Sequence, residues 1–134
     1  MRILLPVLIG ATVVMGGCTQ QKTASTGDFK GDEKDVAQVV VDLSEDAARN
    51  KQSHTCGEIL SARLEKDVAG DSSCPNEVKK AFDDADTTTL DVDDVTITGN
   101  AATAKVSTED GDDTVSRTFK LIKVDGDWRI DSFG

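Results

Sequence analysis

The chain has 134 residues, 25 acidic against 15 basic, and a formal net charge of −10. That is one domain's worth of sequence, and its negative field repels nucleic-acid phosphates and anionic headgroups alike, which argues against nucleic acid as a partner. Tyrosine is absent, with only four phenylalanines and one tryptophan, so the core is built mainly from Val, Leu, Ile and Ala and is expected to be small.

Residues 1–17 place one arginine ahead of an uncharged apolar run, Ile3 to Val14, interrupted by Pro6. A helix crossing a bilayer needs about 20 apolar residues; this shorter run has the length of a secretory signal. Met15-Gly16-Gly17-Cys18 then resembles the lipobox of bacterial lipoproteins: an apolar residue, two small ones and the cysteine. The resemblance implies cleavage before Cys18, diacylation (palmitate-type chains) of its thiol, and residence on the extracytoplasmic face of a cell membrane. A plain secretory signal with an incidental cysteine is the competing reading. One acyl chain binds a bilayer only marginally, at about 0.8 kcal/mol per buried CH₂, so stable anchoring takes two or three.

Residues 18–31 (CTQQKTASTGDFKG) are small, polar and without period, the composition of a flexible tether; Phe29 is the one side chain there that could dock. From Asp32 the pattern changes. Asp32, Glu33 and Asp35 suit a helix N-terminus, and Val36, Val39, Val40, Leu43 and Ala47 form one apolar stripe. A helix is predicted over about 33–51. A second helical segment follows, with Cys56, Ile59, Leu60 and Leu64 inward, then a loop over 70–73. Pro75 opens a third helix over about 76–84, with Val78 and Phe82 inward.

After Asp86 the period becomes two. Leu90 and Val92 alternate, then Val95 and Ile97, then Ala102, Ala104 and Val106; Val115 to Val124 is a long strand. Asp125-Gly126 is a two-residue hairpin signal, and Asp127 to Phe133 is the last strand. Helices followed by an antiparallel meander of about four strands make a domain of α+β class over 32–134.

Three cysteines are present. With Cys18 assigned to lipid, Cys56 and Cys74 remain, and in an oxidising compartment two leftover thiols pair. Closing a loop of this length contributes about 3 kcal/mol in the chain-entropy model. Structural zinc fails on ligand number, since His54 is the only histidine.

The element order and the ending FKLIKVDGDWRIDSF are similar to the nuclear transport factor 2-like superfamily, cone-shaped domains of helices on a curved antiparallel sheet. The segment Cys56-Gly57-Glu58-Ile59-Leu60-Ser61 also resembles exported members of it. That fold hosts enzymes, ligand binders and purely structural modules. The resemblance implies two enzyme chemistries. Ketosteroid isomerisation needs a tyrosine that this chain lacks; dehydration by an Asp–His pair leaves His54 as the only histidine to supply it.

The candidate sites are few. His54 is a capping or loop histidine, or a general base if a carboxylate orients it. The acid runs at 83–86, 91–94 and 109–113 lack the calcium-loop pattern and are expected to be solvated faces. Trp128, Ile130 and Phe119 are core, or the floor of a pocket inside the cone. No metal or cofactor motif is found. The expected function is therefore non-enzymatic: a lipid-anchored module binding an envelope protein or a small apolar ligand. The alternative is a ketosteroid-isomerase or dehydratase-like enzyme with a shallow pocket near His54.

Overall fold

The first long element, α1, spans Asp32–Arg49, with acids in its first turn and Arg49 in its last, as the helix dipole favours. These assignments come from a computed structural model that describes residues 26, 28–85 and 89–134; Cys18 and the signal segment lie outside the described residues. The β-branched run at Val39–Val41 is tolerated because burial outweighs intrinsic propensity: Val36 and Val40 are fully buried against the sheet. Asn50, at φ 54°, takes the left-handed conformation that ends the helix.

The expected second helix is broken into pieces. Gln52–His54 forms a single turn, α2. Thr55–Ile59 forms one wide turn with π-type hydrogen bonding, and Leu60 is extended, at φ −84° and ψ 147°. Helix α3 then runs Ala62–Ala69. The break has a physical cause. Gly57 weakens the helix, and Leu60 and Ser61 have something better to pair with. Ser61 N–H donates to the Ile130 carbonyl at 2.8 Å, and Leu60 bridges Ile130 in parallel. Ser61 also caps α3, its hydroxyl accepting from Leu64 N–H at 3.1 Å.

Helix α4 spans Cys74–Asp84, capped by Ser73 with Pro75 in its first turn. The Cys56 and Cys74 sulfurs are bonded, with the Cα atoms 6.1 Å apart. The bond ties the wide turn to the start of α4, and both cysteines are buried.

Four strands follow: β1 Asp91–Thr98, β2 Ala101–Asp110, β3 Asp113–Val124 and β4 Asp127–Ser132. They form one antiparallel meander in sequence order. A bulge between Val92 and Asp94 shifts the register of β1, which is why the alternation slips from Leu90/Val92 to Val95/Ile97. Asp125 and Gly126 both have positive φ, 52° and 88°, as the β3–β4 hairpin turn requires. α1 packs across β1, β2 and β4. The domain is α+β, with helices on one face of an open four-stranded sheet and the core between them.

The free flank of β4 is clamped where Ser61 meets it. Asp131 accepts from Ser61 Oγ at 2.6 Å and Arg63 Nε at 3.2 Å, and the Arg63 guanidinium also donates to the Asp131 backbone carbonyl. The hydrogen bonds from Arg63, and then from Ser61, hold the Asp131 carboxyl below the ordinary aspartate range. A depressed folded-state pKa adds stability above the unfolded value and loses it as pH falls through the folded one. Asp131→Asn is therefore expected to lower the urea midpoint at pH 7. The gap to wild type should close as pH drops below about 4, the unperturbed aspartate value.

Candidate functional site

Two of the concavities formed by the described residues are bordered by α1. The first is apolar, about 270 Å³, and lies between α1, α3, α4 and the sheet end at Leu90 and Phe133. Its wall includes Leu43, Leu60, Val68, Val78 and Phe82. The helix periodicities place these residues: Leu43 and Ala47 come from the stripe of α1, and Val78, Ala81, Phe82 and Ala85 from one face of α4. Leu60 reaches it because the chain is extended there. Polar groups on this wall are already engaged. Thr55 Oγ donates to buried Asp46 at 2.8 Å, the Leu90 N–H donates to Ser44 Oγ, and the Glu77 carboxylate is 2.9 Å from Lys80 Nζ.

The second is a polar cleft of about 420 Å³ at the opposite end of α1, bordered by Asp35, Asp42, His54, Glu58, Trp128 and Arg129. Here His54 Nδ1 donates to Asp46 Oδ2 at 2.7 Å. The histidine side chain is 48% exposed and the aspartate 5%. Asp46 thus orients the imidazole, as a carboxylate orients a general base. The sequence did not name this partner. The signal was present: Asp46 lies three residues after Leu43, on the buried face of α1, where an acid needs a partner. The reversal at Asn50 then carries His54 back against it. Arg129 is spent on structure, donating to the Gly57 carbonyl at 2.7 Å.

The other sequence candidates separate. Trp128, Ile130 and Phe119 are at most 5% exposed and belong to the central core. None of them lines the apolar cavity, and Trp128 alone borders the polar cleft. Lys123 Nζ lies 5.6 Å from the Trp128 ring centroid, a cation–π distance, and 3.6 Å from Asp32. The Phe119 ring meets Phe133 edge-on at 5.2 Å, so the cavity begins where this aromatic pair ends. Phe29, from the tether, packs on the core. No cluster of three or more metal-ligating side chains occurs among the described residues.

The family model described as "Putative lumazine-binding" matches residues 26–132. The chain belongs to this family. The lumazine-binding-like family is a group of domains in the nuclear transport factor 2-like superfamily, which accords with the helices-then-meander order. No curated protein and no solved structure gives a significant match. In this chain the apolar cavity lies on the helix-covered face of the sheet.

Asp46 links both concavities, accepting from His54 at one and Thr55 at the other. Asp46→Ala would leave two donors unpaired, one of them buried, at about 1–3 kcal/mol. The expected result is a fall of that size in unfolding free energy, measured by urea titration, with a smaller fall for Asp46→Asn.

Proposed function

We propose that this protein is a lipid-anchored, non-enzymatic binding module that holds a small apolar ligand in the cavity between α1, α3 and α4. The observation that carries the reading is the wall of that cavity. It presents Leu, Val, Ala and Phe side chains, while its polar atoms already have partners within the fold. Such a wall rewards apolar surface and offers no group poised to take or give a proton. The family supports a ligand-binding domain of this superfamily. Anchoring rests on the sequence alone: the apolar run, Met15-Gly16-Gly17 and Cys18. A paired Cys56 and Cys74 suit an oxidising compartment.

One observation favours a second reading. His54, oriented by Asp46 in a polar cleft, has the arrangement of a general base, and an enzyme acting there is the alternative.

One experiment addresses both anchoring and ligand. Membranes from the producing cell are extracted and partitioned in detergent, and the protein is then stripped with organic solvent for mass spectrometry. Wild type is expected in the detergent phase with a co-purifying apolar compound. Cys18→Ala is expected to move to the aqueous phase, and Ala81→Phe, which fills the cavity, to lose the compound. Wild type confined to the aqueous phase would contradict the anchor. Retention of the compound by Ala81→Phe would contradict the cavity. His54→Gln is expected to retain the compound; chemical conversion of it that stops with His54→Gln would favour the enzyme.

A further inference from the structure

One stretch of sheet edge is left uncovered by the described residues. The outer flank of β4 is docked by Leu60 and Ser61. β1 is guarded by its bulge and by Asp91, Asp93 and Asp94, protections that edge strands commonly carry. β3 differs. Its pairing with β4 begins only at Lys120, opposite Ser132, whereas its pairing with β2 runs on to Asp113. Residues 113–118 therefore form an edge, and all of them are exposed. Gly111, at φ 63°, opens the two-residue turn between Asp110 and Asp113, which makes that closing pair a hydrogen-bonded one. From there the backbone groups alternate. Those of Asp113, Val115 and Arg117 point to β2, and those of Thr114 and Ser116 point to the open side. Gly134 lies beside the Thr118 backbone, so the open part of the edge is centred on Val115.

The side chains of this edge are complementary to themselves. Val115 is 36% exposed, one of two exposed large apolar side chains among the described residues. Asp113 faces Asp110 directly across the hairpin, a like-charge pairing that costs stability. Arg117 stands opposite Val106 and has no carboxylate partner among the described residues. An antiparallel copy of the same strand, centred on Val115, answers all three. Val115 meets its own counterpart, Thr114 exchanges hydrogen bonds with the partner's Ser116, and Arg117 lies opposite the partner's Asp113. We infer that β3 pairs edge to edge with β3 of a second copy, about a twofold axis at Val115, joining the two sheets into one. Centring the pairing on Ser116 instead would set Arg117 against the partner's Val115 and lose both ion pairs. The contact is isologous, so it closes at two copies. It does not depend on what fills the apolar cavity. So short a pairing falls below the about 1,200 Å² of stable interfaces, and its Kd is expected on the order of 100 µM.

A cysteine placed on the axis tests it. Val115→Cys is made in the full chain carrying Cys18→Ser, with Cys56 and Cys74 already bonded, then mildly oxidised and run on a non-reducing gel. Opposed residues of a non-hydrogen-bonded pair have Cα atoms about 4.5 Å apart, within disulfide reach, so a covalent dimer is expected. Thr114→Cys and Ser116→Cys are equally exposed controls. In this register each lies about 8 Å from its own counterpart, beyond disulfide reach, so neither should link to itself, while a mixture of the two should link. Arg117→Asp is expected to weaken the Val115→Cys dimer about tenfold, and Arg117→Asp with Asp113→Arg to restore it. In the chain without added cysteines, hydrogen exchange at Thr114 and Ser116 should slow as protein concentration rises, whereas the amides of Val115 and Arg117, held by β2, should not respond. Should Val115→Cys not fold, that exchange measurement decides alone. Exchange at Thr114 and Ser116 that ignores concentration overturns the pairing, as does a folded Val115→Cys that forms no dimer. Self-linking of Thr114→Cys or Ser116→Cys as readily as Val115→Cys overturns the register, and so does a charge-swapped variant that links no better than Arg117→Asp.

Discussion

Everything on the helical face depends on where the chain stops being helical. At Leu60 and Ser61 the backbone turns extended and joins the outer flank of β4, with Ser61 N–H on the Ile130 carbonyl. Ile130 is fully buried and central to the core. The contact therefore ties the middle of the helical region to the last strand, about 70 residues away in sequence. A continuous helix from Gln52 to Ala69 would carry Leu60 and the Ser61 cap away from β4. It would also leave the flank of that strand without its partner, a row of unpaired backbone groups.

Two consequences follow from that docking. The wide turn before it carries Cys56 to the start of α4, where the disulfide closes; α4 packs chiefly on α3, α2 and this turn. The helix-covered face of the sheet is thereby divided. Trp128, Ile130 and Phe119 fill its centre, and the region beyond Phe133, walled by α4, stays hollow and apolar. Small aliphatic side chains explain the hollow. Ala47 leaves part of the wall unfilled, and Ala81 and Ala85, both exposed, stand where it opens to solvent.

Much of the architecture was legible because it rests on period and turn chemistry. The stripe Val36, Val40, Leu43 gives α1, Pro75 gives the start of α4, and Asp125-Gly126 gives the last hairpin. Even the bulge of β1 is written as a phase slip between Val92 and Val95. What period could not convey was the break at Leu60. Its apolar spacing fits a helix equally well, and the deciding hydrogen bond comes from a residue near the other end of the chain. The site was less legible for the same reason. Trp128 and Phe119, as the largest side chains of the sheet, were candidates for core or pocket, and they are core. The cavity wall is shared by residues from Leu43 to Phe133 that no local motif joins. Asp46 found His54 only through the left-handed turn at Asn50.

The most direct test of this arrangement is native-state hydrogen exchange at one amide. The Ser61 N–H sits in what should be the unprotected first turn of a short helix, where orphan donors ordinarily exchange rapidly. Bonded to Ile130, it should instead exchange only by global unfolding, with protection that matches the core amides of β3 and falls with theirs in urea. Rapid exchange at Ser61, comparable to the exposed first turn of α1, would show that the helix break is not pinned to the sheet. The placement of α4, and with it the cavity, would then lose its foundation.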